Sequence, residues 1–398
     1  MSRDYWKPYR PSEYLLWNRE RVMHVHRRLG FSAAKIECSQ ALAAGHESTI
    51  DRFLQPVTSG NETIQSGLIR QAIDRNSIRA LEAGWIMRMW HAGNPLAEQL
   101  CLMWHNHFAT SFLKVNDCDA MWNQNQLFRS LGCGRFADLL KAVLLDRAML
   151  VWLDADSNRA SHPNENLARE LMELFTLGEG NYTEKDVQEA ARALTGWRVG
   201  DSGVTFNRFE HDGGLKTILG VTAAHDLASL ADLLIAQRAT AERLAWRICD
   251  HFLGTPVPQV AIDQLAKILR ELDLHIGKAV AQVVRSERFF SNDVVGQRFR
   301  SPVSLVVGGI RELGLHEDTS GKAAVSPQLA ASWMEAMGQH LFHPPGVAGW
   351  QGGKSWLGSQ SMIQRAAFAK SLSEGELTGG NEEHPTAIQL ASGQSQLD

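Results

Sequence analysis

Residues 154–178, DADSNRASHPNENLARELMELFTLG, decide how the rest of the chain is read, because they join a loop dense in oxygen ligands to one two-faced helix. At about 100° per residue, Leu167, Ala168, Leu171, Met172, Leu174 and Phe175 fill one side of that helix. Glu165, Asn166, Arg169, Glu170, Glu173 and Thr176 fill the other. The apolar side belongs in a core. Pro163 suits a first helical position, where its missing N–H would lack a partner anyway, and Gly178 suits the left-handed residue just past the end.

In the loop, Asp154, Asp156, Asn158 and Glu165 stand at the side-chain ligand spacing of a helix-loop-helix calcium site, with Glu165 closing the shell from the exiting helix. Arg159 stands where that loop needs Gly, Ser161 replaces its apolar residue, and Pro163 is unusual within it. The paired-loop fold is therefore not expected. Two readings stay open. Either these four residues hold an isolated divalent cation, calcium or another hard cation, or Asp154 and Asn158 bond the turn while Glu165 serves the helix N-terminus.

Glu165, Arg169 and Glu173 follow one another at i, i+4 steps, so Arg169 can bridge both carboxylates in a solvated ladder. If that face is buried instead, Glu170 or Glu173 can ligate a metal or act as a general base, and Arg169 can hold substrate. His105 and His107 flank Asn106 near a helix end, about 200° apart, so they share one ligand only where the helix has unwound. Otherwise one packs and the other bonds a backbone carbonyl. His211 and Asp212 precede Gly213 and Gly214 in a turn that permits close approach to a ligand, with Lys216 on the return strand. These make either a catalytic cluster or a plain turn. Trp350 and Trp356 lie among glycines, where an indole stacks on a sugar ring or plugs a core.

Composition narrows the classes. A chain of 398 residues with 44% hydrophobic and 21% charged residues can bury one large core or two ordinary ones. A formal net charge of -4 and the lack of a long Lys/Arg run give no footprint for nucleic acid. Five cysteines, an odd number without Cys-x-x-Cys spacing, signal neither a disulfide framework nor a thiolate zinc site. No apolar run is long enough for a membrane span, and the start lacks a signal-peptide apolar region, so a cytoplasmic location is expected, or export if the start is truncated. Arg27 and Arg28 read as the cationic end of the first helix. Hydrolase, nucleotide-loop and zincin motifs are absent.

The expected architecture is a mainly α, multi-helix globular fold with one small β-hairpin and a Gly/Trp-rich C-terminal loop at 342–358. Thr183 with Asp186 starts a helix by a capping box. The hairpin is expected between 204–209 and 215–219, around the turn at 211–214. One domain over 1–372 is expected, with a candidate lobe boundary near 220–225, and a polar, disordered tail at 373–398.

Three long phrases, MWHNHFATS at 103–111, PNENLARELMELFTLGEGNYTEKDVQEAARALTGW at 163–197 and MGQHLFHPPGVAGWQGG at 337–353, resemble a bacterial family catalogued as domain of unknown function 1800. The likeness runs from about residue 26 to 365. It implies a mostly helical domain, often exported and frequently encoded beside a sulfatase-like partner, and it supplies no reaction. The resemblance nominates the 154–173 region, His105/His107, the His211 turn and the Trp350 loop as one pocket. The residues then suggest an enzyme whose carboxylates and histidines hold a divalent cation or perform acid/base chemistry on an oxygen-rich, saccharide-like substrate. The alternative is a non-catalytic binding or accessory protein in which the acidic helix and loop are structural. The catalytic reading needs the 165–173 flank to look inward, toward His105, His107 and His211.

Overall fold

Asn94 and Pro95 start the helix on which the molecule is assembled. In the computed structural model, which describes residues 4–55, 63–200, 203–254, 256–316, 325–373 and 396, the Asn94 side chain accepts the Ala97 N–H at 3.2 Å. Pro95 fills the first position of helix Pro95–His107, where its fixed φ costs no hydrogen bond. Most of this helix is buried. It packs on helix Cys118–Leu131, whose N-terminus Asp117 caps by accepting the Ala120 N–H at 3.1 Å.

The fold is mainly α, as expected, and a contiguous cluster of buried apolar side chains runs from Trp6 to Leu372. Helix starts follow side-chain caps more closely than hydrophobic period. The first helix is Arg19–Leu29, because Asn18 accepts the Arg21 N–H at 3.1 Å and fixes the start there. The capping box at Thr183 is present: Asp186 Oδ2 accepts the Thr183 N–H at 2.8 Å.

Strands form two separate hairpins among the described residues, not one. β1 (Trp197–Gly200) pairs antiparallel with β2 (Gly203–Phe206), Trp197 opposite Phe206. β3 (Lys216–Ile218) pairs with β4 (Val221–Ala223), Ile218 opposite Val221. The expected pairing of 204–209 with 215–219 does not form. Each segment finds a nearer partner: Leu219 and Gly220, at φ 49° and 78°, make the tight two-residue turn that the right-handed twist of a hairpin favours. The segment between the hairpins is a short 3-10 turn, Arg208–Glu210, and a loop.

The central helix also departs from a simple α-helix. Asn166–Glu170 is α-helical and Leu171–Thr176 widens to a π-helix, in which the Leu177 and Gly178 N–H groups both donate to Met172 O, at 2.8 Å and 3.0 Å. Gly178 takes φ 81°, as its place past the helix end predicts. Gln396, in the expected tail, accepts the Arg300 N–H at 2.9 Å and an Arg365 N–H at 3.0 Å. The rest of the tail beyond Ser373 lies outside the described residues.

Candidate functional site

The polar flank of the central helix faces largely outward. Glu165 and Arg169 side chains are each 36% exposed, paired at 2.9 Å. Arg169 extends the ladder to Glu184, Nη1 to Oε2 at 2.8 Å, rather than to Glu173. Glu173 instead accepts the Tyr182 hydroxyl at 2.9 Å. Glu170 is half-buried; burial raises its carboxyl above the usual range, the Glu173 charge adds to this, and Arg169 opposes it. This is the solvated arrangement in which an ion pair contributes little.

The oxygen ligands of the preceding loop do not converge. Asp154 takes φ 55° and pairs with Lys114 at 2.7 Å. Asn158 is buried and uses both ends of its amide on backbone, donating to Ala191 O and accepting from Asn164 N, each at 2.9 Å. Asp156 contributes its backbone carbonyl to Arg198, and Glu165 is held by Arg169. Among the described residues, the three metal-ligating side chains that bring ligand atoms within 4.8 Å of one another are Glu82, His340 and His343, not these.

The His211 turn is closed on itself. His211 Nδ1 lies 2.9 Å from Thr195 O, and Asp212 accepts from Arg192 Nε at 2.7 Å and from the Gly214 N–H at 2.9 Å. The Lys216 ammonium is buried and donates to Asp212 O and to Gly214 O, the latter at 3.0 Å. Burial lowers its pKa, and the Asp212 carboxylate partly restores it. These bonds fix a loop, and none of the three residues lines the cleft beside helix Arg238–Phe252.

That cleft, of about 470 Å³, is lined by five arginines, Arg27, Arg28, Arg243, Arg247 and Arg298, against one acid, Asp250. His107, Trp350 and Trp356 from the sequence-derived set also line it. The central helix builds this wall through its carbonyls rather than its acidic face. The last carbonyls of a helix lack intrahelical partners. Here Arg243 Nε donates to Leu174 O at 2.7 Å and His107 Nε2 donates to Phe175 O at 3.1 Å.

Because Nε2 of His107 carries the donated proton, Nδ1 is the acceptor. That buried atom has no hydrogen-bond partner. Burial holds the His107 pKa well below its ordinary value, Arg247 and Arg243 add to this, and the Phe175 carbonyl opposes it. The ring is neutral at pH 7. His251, on the same lining, is lowered in the same way, by burial first and then by Arg298, Arg28 and Arg247.

The arginines differ in how far they are already engaged. Arg28 donates to Leu253 O at 3.1 Å, Arg298 to His251 O, and Arg27 lies 3.6 Å from Glu312. Arg247 stacks on the half-exposed Trp246, 5.2 Å from the ring centroid. Among the described residues its guanidinium makes no hydrogen bond or ion pair, and its Nε is buried without a partner. Burial lowers Arg247 to about 10, with Asp250 opposing and Arg243 adding, so it keeps its charge at neutral pH.

Trp350 reaches the cleft because its loop is clamped to the end of helix Pro95–His107. The Asn106 side chain accepts the Trp350 N–H at 2.6 Å and donates to Trp350 O at 3.3 Å. Gly349, at φ 74°, lies so close that a Cβ would meet Asn106 Oδ1 at 2.3 Å and Asn106 O at 2.4 Å. His105 stands behind this contact. It accepts the Phe342 N–H at 3.2 Å and packs beside the Trp350 ring. Burial, with a smaller push from His343, lowers it to about 3, so it is a neutral structural acceptor that does not line the cleft.

Three phrases far apart in the chain therefore meet at one wall: Asn106 and His107, the carbonyls of Leu174 and Phe175, and Gly349 with Trp350. A model of a single protein family matches residues 24–396. The chain belongs to that family, described as Protein of unknown function (DUF1800). No curated protein and no solved structure matches it.

For this family member, the cleft residues that sequence reasoning missed are mainly the arginines. Arg27 and Arg28 read as a helix end, and Arg243 with Arg247 is an i, i+4 pair on helix Arg238–Phe252. That spacing puts both on one face, but surface helices carry such pairs routinely. Asn106 was visible only as the residue between two histidines.

Proposed function

We propose that the cleft binds an anionic, hydroxyl-rich small molecule of the acidic-saccharide or sugar-phosphate class, and that the protein is a recognition module for it. The observation that carries this reading is the surplus of charge: five arginines and one aspartate around about 470 Å³. Guanidinium groups pair with carboxylate and phosphate through forked N–H donors, and a partly buried, unpaired one gains most when an anion arrives. Arg247 is that group. The unpartnered Nδ1 of His107 adds an acceptor suited to a ligand hydroxyl, and Trp350 and Trp356, largely buried in the wall, add apolar surface against which a sugar ring can pack.

Recognition fits the lining better than catalysis. Glu170 and Glu173 do not line the cleft, and Asp250 is the one carboxylate that does. His107 and His251 are held neutral by burial beside arginines, which makes each a weak base.

Isothermal titration with glucose 6-phosphate, glucuronate and glucose tests the reading. The two anions should bind and glucose should not. A hydrogen bond to a charged group contributes about 1.5–3 kcal/mol, so Arg247→Gln should weaken anion binding roughly ten- to a hundredfold. Equal affinity of wild type and Arg247→Gln, or no anion binding at millimolar concentration, would overturn it.

A further inference from the structure

We propose a second site, unrelated to the arginine cleft: a first-row transition-metal site of the zinc class, ligated by Glu82, His340 and His343. Each of the three offers a ligand atom, and these atoms lie within 4.8 Å of one another. For metal bonds of about 2.0–2.2 Å, ligand atoms around a tetrahedral ion sit about 3.3 Å apart. Glu82 Oε1 stands 3.5 Å from His343 Nδ1, close to that value, and 2.5 Å from His340 Nε2, a contact that an entering ion would part.

Glu82 is fully buried on helix Ile78–Trp90, and the two imidazoles are the groups that its Oε1 faces. A buried carboxylate is costly unless a donor or a cation meets it, and an ion held between the three side chains would meet all of them at once. His340 has the outer partner that metal-bound histidines use: its Nδ1 faces Glu335 Oε1 at 3.5 Å, which directs the proton there and leaves the Nε2 lone pair for an ion. His343 presents Nδ1 to the cluster and must give up that atom's 3.0 Å contact with Leu341 O to bind.

Arg79 is the competing occupant. Its Nη1 is 3.3 Å from His340 Nε2 and 3.5 Å from Glu82 Oε2. A guanidinium can only donate and an ionised carboxylate can only accept, so His340 Nε2 cannot serve both Arg79 and the nearer Glu82 Oε1, at 2.5 Å. Arg79 is half-exposed and has a closer partner in Glu335, at 2.6 Å, to which it can withdraw. Three protein ligands leave a fourth position for water, and the partly exposed His340 gives the ion a way in. The 340–343 turn also continues the segment whose Gln339 lines the arginine cleft, so metal there would fasten the turn to helix Ile78–Trp90.

The test is titration of the metal-stripped full chain with zinc chloride alone, and with magnesium chloride as the hard-cation arm. One zinc per chain should bind at micromolar concentration or tighter, with no uptake of magnesium. Glu82→Gln and His340→Gln should each weaken zinc at least tenfold. Cys133→Ser, which removes the exposed free thiol, should leave zinc binding unchanged. Circular dichroism establishes folding, and His340→Gln, on the exposed side, keeps the test valid if the buried Glu82 variant unfolds. Zinc binding that is absent, or equal in wild type and His340→Gln, overturns the site and leaves Glu82 as the partner of Arg79 and His340 alone.

Discussion

Gly349→Ala should be among the most damaging small substitutions in the chain, and its size can be worked from the loop. Two penalties combine. Gly349 sits at φ 74°, and a residue with a Cβ in the left-handed region costs about 1–2 kcal/mol. The new Cβ would also stand 2.4 Å from the Asn106 backbone oxygen, which belongs to a buried helix and cannot rotate away. The loop must lift, and the two hydrogen bonds between Asn106 and Trp350 are lost, at about 0.5–1.5 kcal/mol each. The sum is a destabilisation of about 2–5 kcal/mol. Gly352→Ala is the matched control, because its Cβ would meet nothing within 4 Å. Urea unfolding compares the two, and glucose 6-phosphate titration should show weaker binding by Gly349→Ala than by wild type, since a lifted loop takes Trp350 out of the cleft wall. If Gly349→Ala unfolds at the same midpoint as Gly352→Ala, the clamp at Asn106 is not what holds the wall.

Three further outcomes are expected. Glu165→Ala should change stability by less than about 1 kcal/mol, because its ion pair is half-solvated; a loss above about 2 kcal/mol on urea unfolding would mean that the flank holds a buried charge. Asn158→Ala should cost about 1–3 kcal/mol by removing the amide's bond to Ala191 O and leaving the half-buried Asn164 N–H without its acceptor, and wild-type stability on thermal melting would refute that peg. For pH, His24, His105, His107 and His251 have folded pKa values lowered by burial, so the unfolded chain takes protons first. Their stabilisation is complete above about pH 6.5 and falls by about 1.4 kcal/mol per pH unit for each as pH drops, for His105 down to about 3. Asp146 has the opposite sign: burial raises it to about 7, so stability from its proton is lost as pH rises from about 4 to about 7. Asp146→Asn should therefore steepen the acid-side loss in a pH series of unfolding midpoints, and an unchanged slope would contradict the assignment.

Helical character and the two-faced central segment were legible because periodicity and caps act locally: Thr183 with Asp186, Asn94 with Pro95 and Gly178 all stand where their side chains or torsions require. The hairpins were harder. Leu219 and Gly220 form a positive-φ turn without the Asn-Gly or Asp-Gly signal, whereas the more suggestive Gly213 and Gly214 only relax a loop. The π-helical turn at 171–176 left no periodic trace, yet it aims the Leu174 and Phe175 carbonyls at Arg243 and His107.

The candidate site was legible only where residues reach it from short motifs. His107, Trp350 and Trp356 line the cleft; Glu165, Arg169, Glu170, Glu173, His211, Asp212 and Lys216 do not. Acidic spacing in Asp154, Asp156, Asn158 and Glu165 reads alike for a cation shell and for a pegged loop, and the difference lies in Ala191, Asn164 and Lys114, which no spacing rule connects to them. The arginine cluster draws on the first helix, helix Arg238–Phe252 and residue 298. The Glu82, His340 and His343 group joins residues more than half the chain apart. Both depend on tertiary packing.

A crystal structure of the protein grown with glucose 6-phosphate tests the central claim most directly. The account predicts a phosphate within hydrogen-bond reach of Arg247 and Arg243, with the sugar ring beside Trp350 or Trp356. A bound phosphate elsewhere on the surface, or an open cleft holding only water at saturating ligand, would contradict it.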